Sequence, residues 1–88
     1  MSSATMVLRE ICEQQLTLFL YDSALFVAER LYYQEPTEAN LNIVGQCMYR
    51  MGQFKQVYML LGEAKELPNR YLFALACMEL KKYPEAEL

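Results

Sequence analysis

Apolar residues recur along most of this chain at steps of three and four residues, which is the spacing of one face of an α-helix. In the first such stretch, Leu8, Ile11, Cys12 and Phe19 follow this spacing, with the polar Gln15 between them. No segment alternates apolar and polar residues in the way that a half-buried strand would. The pattern therefore predicts an all-α fold.

Residues that start or break helices divide this pattern into six predicted helices. Thr37 can cap the third helix, Asp22 can cap the second after a corner at Tyr21, and Gly52 breaks the third. Pro68 suits a first helical turn, where its missing N–H costs nothing. The predicted helices are Thr5 to about Leu20, a second that ends before Pro36, a third that runs to Met51, a fourth from Phe54 to about Glu66, a fifth with Pro68 in its first turn, and a sixth that opens at Tyr83.

The chain also repeats itself at an offset of 33 residues, and a third, incomplete copy follows at an offset of 29. At the first offset, residues 21–24 fall on residues 54–57, and Cys12 falls on Gly45. A helical unit that recurs at this period cannot bury its apolar face alone, so it stacks on its neighbours. The repeat predicts a helical array, and we expect such an array to bind other proteins rather than to catalyse a reaction.

These features resemble the tetratricopeptide repeat, a helix pair of about 34 residues with small residues where helices approach closely. Gly45, Val57 and Ala64 hold the small positions of the second copy, and Cys12 and Ala24 hold them in the first. The resemblance implies antiparallel helix pairs in an array of about two and a half repeats. The implied boundaries are a single domain over 1–88, with repeats at 5–38 and 38–70 and a partial third at 70–88.

Four stretches are similar to the N-terminal domain of the family of third subunits of the anaphase-promoting complex, a ubiquitin ligase. The most specific of them is Ala28–Tyr32, while Ser23–Ala28 is also similar to a sister repeat subunit of the same complex. The resemblance implies a non-catalytic scaffold in cell-cycle control, nuclear and cytoplasmic, that contacts other subunits of the complex. It also implies that these N-terminal repeats form a homodimer, whereas the co-activator's tail binds C-terminal repeats outside this sequence. The four stretches are 21–32, 47–52, 57–61 and 70–74.

Composition and charge disfavour several other functions. The net charge of −3 and the pI near 4.9 disfavour a nucleic-acid surface, which needs a basic stripe. No apolar run approaches the roughly 20 residues of a membrane span, and the N-terminus lacks the pattern of a signal peptide. The sequence holds no nucleophile–base arrangement and no phosphate-binding loop. We therefore expect no catalytic residues, no cofactor and no small-molecule substrate.

The three cysteines, Cys12, Cys47 and Cys77, fall on successive copies of the repeat, and the sequence contains no histidine. Cysteines spaced in this way, without a paired thiol nearby, are typical of packed side chains in a reducing cell interior. We expect no metal site, and we expect the thiols to lie packed between helices.

The candidate functional surface is the concave groove that the first helix of each pair lines. Its predicted contacts mix aromatic, methionine and arginine side chains, which the centres of protein interfaces favour. The pattern also breaks off without the polar-faced helix that normally ends an array, so we expect either a longer array or a covered end. We predict that the groove joins two copies of this chain. The predicted contact residues are Met6, Arg9, Glu13, Leu16, Tyr49, Arg50, Tyr71, Leu75 and Met78.

The alternative is a monomeric peptide receptor, such as a chaperone adaptor that binds a partner's acidic tail in the groove. A groove of that kind needs several Lys and Asn side chains that converge on the tail. Glu13 and Ile43 stand where Asn would be expected. The sequence therefore favours the homodimer over the peptide receptor.

Overall fold

The computed structural model describes residues 3–82, and between these limits it contains five helices and no strand. Each helix packs against the next, and the third also packs against the fifth, in an elongated array of 42 × 27 × 18 Å. The predicted all-α repeat architecture is confirmed, while the sixth helix expected from Tyr83 lies outside the described residues. The helices are α1 (Ser3–Thr17), α2 (Tyr21–Gln34), α3 (Glu38–Arg50), α4 (Phe54–Leu61) and α5 (Leu67–Lys82).

Two corners of the same construction connect α1 to α2 and α3 to α4. In the first, the N–H groups of Phe19 and Leu20 donate to the carbonyls of Leu16 and Gln15 at 3.0 and 2.8 Å. Residues 48–53 repeat this pair of hydrogen bonds in the second corner. The middle residue of each corner is left-handed, with φ of 60° at Phe19 and 77° at Gly52, as this type of helix end requires. The predicted break at Gly52 is confirmed.

The first corner corrects two predictions about the helices that it joins. Helix α1 ends at Thr17 rather than near Leu20, because residues 18–20 form the corner. Leu20 occupies the N-cap position of α2 without a side-chain capping bond, and Asp22 lies inside the first turn. The predictions of a corner at Tyr21 and a cap at Asp22 are therefore wrong. The charge of Asp22 is still placed favourably near the positive end of the helix dipole.

Two predicted helix starts are confirmed. Thr37 caps α3, since its side-chain oxygen accepts a hydrogen bond from the backbone N–H of Asn40 at 3.2 Å. Pro68 lies in the first turn of α5, where no intrahelical hydrogen bond needs its nitrogen. Both starts were accessible to sequence reasoning because a capping residue acts within one turn of its own position.

Helix α4 is shorter than predicted, ending at Leu61 rather than near Glu66. The carboxylate of Glu38 accepts hydrogen bonds from the backbone N–H groups of Lys65 and Glu66 at 3.0 and 2.9 Å. These bonds hold the chain just before α5 against the start of α3. Residues 62–66 therefore form a connection rather than a continuation of α4.

The core consists of two clusters of buried side chains that meet at α3. The first cluster joins α1, α2 and α3, the second joins α4 to α5, and Met48 of α3 packs against both. Each helix pair thus buries its apolar face against its neighbour, as a repeat array must. The buried members are Cys12, Ala24, Ala28, Val44 and Cys47 in the first cluster, and Val57, Leu61, Leu72 and Ala76 in the second.

Gly45 lies where α3 contacts both α4 and α5. A β-carbon at this position would lie 3.0 Å from Cδ2 of Leu72 and 3.1 Å from Cδ1 of Leu61. Ordinary van der Waals contact between carbon atoms needs about 3.5–4.0 Å. The close approach predicted at Gly45 is confirmed, and it involves α5 as well as α4.

The cysteine thiols differ in exposure. Cys12 and Cys47 are fully buried in the first cluster, as expected, whereas Cys77 is only partly buried. The thiol of Cys12 donates to the carbonyl of Ala24 at 3.5 Å. A hydrogen bond with Cys12, together with burial, raises the pKa of the Cys47 thiol. Across residues 3–82, no group of three or more His, Cys, Asp or Glu side chains is placed to hold a metal ion.

Candidate interaction surface

A groove of about 340 Å³ lies between α3 and α5 and is called here the α3–α5 groove. Tyr49, Tyr71 and Leu75 give it an apolar wall, and Tyr71 is 68% exposed. Arg50 is the one charged side chain among the described residues that line it. The groove therefore combines an apolar wall with two side-chain amides and one cation, and the described residues that line it include no acid. Its lining residues are Asn42, Gln46, Tyr49, Arg50, Pro68, Tyr71, Leu72 and Leu75.

Helical spacing explains why these side chains face the same groove. Asn42, Gln46 and Tyr49 are four and three residues apart on α3, and Tyr71 and Leu75 are four apart on α5. The ring of Tyr49 also packs edge-on against Phe54, with 5.2 Å between the ring centres. Tyr49 is therefore held in place before any partner arrives.

The polar groups of the groove are largely bonded to one another. The side-chain amide of Asn42 donates to Oδ1 of Asn69 at 2.9 Å, and that of Gln46 donates to Oδ1 of Asn42. Asn69 is buried and donates in turn to the backbone carbonyl of Glu38 at 2.9 Å. Because these groups are already paired, a partner gains mainly by covering the apolar wall.

A matching contact joins α1 to α3 one repeat earlier. Nη2 of Arg9 donates to Oδ1 of the buried Asn40 at 2.6 Å, and Asn40 donates to the carbonyl of Glu35 at 2.8 Å. Arg9 falls on Asn42 at the offset of 33, and Asn40 falls on Asn69 at the offset of 29. The same link between successive first helices thus occurs twice. Sequence reasoning missed it, although the two aligned asparagines were its visible signal.

The structure brings four of the nine predicted contact residues together. Tyr49, Arg50, Tyr71 and Leu75 line the α3–α5 groove. Met78 instead lines a separate depression, where Tyr58, Cys77, Leu80 and Lys81 are its neighbours.

The four predicted contact residues on α1 fall into two pairs. Arg9 bonds to Asn40, and Leu16 packs against the first core cluster, so both are engaged within the chain. Met6 and Glu13 are exposed. Of the four predicted contact residues on α1, Met6 and Glu13 are therefore the two that are exposed to a partner.

One exposed apolar segment was missed by sequence reasoning, which had assigned residues 18–20 to a helix. Leu18 and Phe19 are 66% and 74% exposed at the first corner, and Leu20 is exposed as well. A shallow depression of about 320 Å³ beside them is lined by residues 19–23 and by Arg50 and Met51. Arg50 borders both this depression and the α3–α5 groove.

Glu38, at the start of α3, bonds to the chain just before α5. Hydrogen bonds from the backbone N–H groups of Glu66 and Lys65 hold the pKa of the Glu38 carboxyl below its ordinary value. This carboxylate also accepts a hydrogen bond from Asn69 at 3.2 Å. Glu38 therefore acts as a fixed anion that positions the start of α5 and is already engaged within the chain.

Comparison with known sequences places this fold and groove in context. The family described as anaphase-promoting complex, cyclosome, subunit 3, matches residues 17–88. Cell division cycle protein 27 homolog A of Arabidopsis thaliana is 33% identical over 81 residues, which are 92% of this chain and 11% of that protein. The Homo sapiens cell division cycle protein 27 homolog is 38% identical over 76 residues, covering 84% of this chain and 9% of its own length.

A third relative comes from a different lineage. Anaphase-promoting complex subunit 3 of Dictyostelium discoideum is 37% identical over 71 residues, which are 77% of this chain and 7% of that protein. The chain thus spans about a tenth of the length of the curated relatives that it matches.

No helix within residues 3–82 is long and apolar enough to cross a membrane.

Proposed function

This chain belongs to the family of subunit 3 of the anaphase-promoting complex, and on that premise we propose that it is a scaffolding and homodimerisation module of such a complex. It acts by binding a second copy of itself and other subunits of the complex, in cell-cycle control, in the nucleus and cytoplasm. It performs no chemistry and uses no cofactor, so that ubiquitin transfer belongs to other subunits. Nucleic acids, membranes and small-molecule substrates are not among its partners.

The observation that carries the proposal is the open α3–α5 groove with its exposed apolar wall. The amides of Asn42 and Gln46 are already hydrogen-bonded, while Tyr49, Tyr71 and Leu75 leave apolar surface in contact with water. Covering such a surface with another protein is favourable, and aromatic and arginine side chains supply much of the energy of protein interfaces. The groove therefore supports a binding module better than it supports an enzyme.

In the proposed dimer, α1 of one chain enters the groove of its partner. Met6 and Glu13 are exposed on α1 and can reach the partner, whereas Arg9 and Leu16 fix α1 to its own chain. A closed two-fold pair uses both grooves, and an obligate pair buries roughly 2,000 Å² or more. The receiving residues are Tyr49, Arg50, Tyr71 and Leu75, with Met78 at the edge of the contact.

Sedimentation of the 88-residue chain tests this proposal. We expect the parent chain to sediment as a dimer at micromolar concentration and Tyr71→Glu to sediment as a monomer, because its new charge would be buried without a partner. The monomer should tolerate Tyr71→Glu, since Tyr71 is 68% exposed. Tyr33→Glu is the matched control: Tyr33 is 89% exposed but lies on α2, outside the groove, and the dimer should survive.

A parent chain that stays monomeric would contradict homodimerisation and favour the alternative of a monomeric peptide receptor or chaperone adaptor. The lining of the groove gives that alternative some support, because Arg50 is its one charged group among the described residues. An acidic peptide would then bind the parent chain, and Arg50→Glu would abolish that binding.

A further inference from the structure

The two corners of this chain place very different residues in the same backbone conformation. Phe19 and Gly52 are equivalent at the repeat offset of 33, and their φ angles are 60° and 77°. Glycine adopts this left-handed conformation without steric cost, whereas a side chain with a β-carbon is strained there. The first corner therefore carries strain that the second corner, with the same hydrogen bonds, avoids.

The side chain of Phe19 gains little within its own chain in return for this strain. Phe19 is 74% exposed, and its ring packs edge-on against Tyr21, with 6.1 Å between the ring centres. Leu18, next to it, is 66% exposed. At the second corner the equivalent residues are Met51, which is partly buried, and Gly52. Strain and exposed apolar area at one point indicate a use outside the chain.

The same chain carries a surface that complements this corner. The α3–α5 groove has an apolar wall of Tyr49, Tyr71 and Leu75, and Arg50 is its one charged residue among those described. Residues 18–23 carry a single charge, Asp22, which is exposed next to the corner. Apolar surface can thus meet apolar surface while the anion of one chain meets the cation of the other.

We propose that Phe19 anchors the homodimer by inserting into the α3–α5 groove of a second copy, with Asp22 beside the partner's Arg50. This inference rests on the proposed function and adds to it the residue that fills the groove. Helix α1 ends just before this corner. Phe19 therefore enters the partner's groove together with the end of α1. A two-fold pair makes the contact twice, which is how a small surface gives a closed assembly.

The first test is the dissociation constant of the Phe19→Gly variant, measured by sedimentation of the 88-residue chain. Glycine suits the corner's backbone, so the monomer should fold and melt at least as high as the parent monomer. Loss of an aromatic anchor should raise the dimer dissociation constant roughly tenfold or more. Tyr33→Ser is the control, since it removes an even more exposed ring from α2 and should leave the constant unchanged.

The outcomes of this test separate the anchor from the dimer itself. If Phe19→Gly dimerises as tightly as the parent, Phe19 is not the anchor, while the homodimer stands. If the parent chain is itself a monomer, the proposed function and the anchor both fail. Equal weakening by Tyr33→Ser would also overturn the anchor, because the effect would then belong to any exposed ring.

Asp22 and Arg50 also border one depression of the same chain. A charge-exchange experiment therefore tests whether the two charges meet between chains rather than within one. Chains with Asp22→Arg alone, or with Arg50→Glu alone, should dimerise poorly, because like charges meet at both contacts of each pair. A mixture of the two variants should form heterodimers, since each contact then joins opposite charges. Heterodimers with one tagged chain can be counted by native mass spectrometry. No recovery in the mixture would show that Asp22 does not face the partner's Arg50.

Discussion

At the scale of single residues, Gly45 shows how an absent side chain sets the spacing of the helices. Its missing β-carbon lets Leu61 and Leu72 approach α3 more closely than a substituted residue would allow. Protein cores are packed about as densely as crystals, so an added group at such a point must displace its neighbours. Glycine is here a packing residue inside a helix, in spite of its low helix propensity.

Substitution of Gly45 should therefore destabilise the array. We expect Gly45→Leu to lower the free energy of unfolding by about 1–3 kcal/mol, because overpacking outweighs the gain in helix propensity. Urea unfolding followed by circular dichroism measures this change. Ala39→Leu on the same helix is the control, since Ala39 is exposed and should tolerate the larger side chain. An unchanged midpoint for Gly45→Leu would contradict the packing described for this residue.

At the scale of helices, short polar links add to the apolar contacts between successive repeats. Arg9 with Asn40, and Asn42 with Asn69, join the first helices of neighbouring repeats. Asn40 and Asn69 are buried, so an unpaired amide at either position would carry a desolvation cost. These links set the register of one helix against the next, which apolar packing alone does not specify.

Glu38 forms a further polar link between helices, and the stability that this link contributes depends on pH. The backbone N–H groups of Glu66 and Lys65 bind its charged form and lower the pKa of the carboxyl below its ordinary value of 4.5. The stability that Glu38 contributes is thus fully present above the pKa of the unfolded chain. It is lost as the pH falls through the lower pKa of the folded state.

We expect the melting temperature of the parent chain to approach that of Glu38→Gln as the pH falls below about 4.5. At neutral pH the parent should melt at the higher temperature, because the amide binds the two N–H groups less strongly than the carboxylate does. Thermal melts of both chains across this pH range measure the effect. Glu10→Gln, at an exposed position on α1, should change the melt little at any pH. A pH-independent gap between parent and Glu38→Gln would refute this role.

At the scale of the whole molecule, the chain is an elongated stack whose α3–α5 groove is open. Two core clusters that share Met48 hold the stack together, and no single central core spans all five helices between residues 3 and 82. Small domains of this size have little stability to spare. A partner that covers the groove would therefore add a substantial part of the total stability.

Stability and association should then be coupled. If the chain is a dimer, its melting temperature should rise with concentration, because binding between folded chains shifts the unfolding equilibrium. Scanning calorimetry over roughly a hundredfold range of concentration tests this for the parent chain. Tyr71→Glu should melt at one temperature throughout that range. A parent melt that is independent of concentration would count against the dimer.

The sequence alone determined the helical class, the repeat, the family and the features that act locally. Thr37, Gly52 and Pro68 could be interpreted because each acts on the backbone within a turn of its own position. The close approach at Gly45 followed from the repeat alignment, since equivalent positions of stacked units face equivalent neighbours. For the same reason, Tyr49, Tyr71 and Leu75 could be placed on one groove. The division into repeats at 38 and 70 stays a prediction.

Only the tertiary structure decided the features that depend on distances between helices. Arg9 was predicted to face a partner, yet it reaches Asn40 of the next repeat, 31 positions away in the chain. Glu38 holds the start of α5 from 28 positions away and so ends α4 early. The left-handed corner at Phe19 replaced a predicted last turn of helix. Helical periodicity gives the direction in which a side chain points from the axis of its helix. The residue that this side chain contacts depends on how the helices stack.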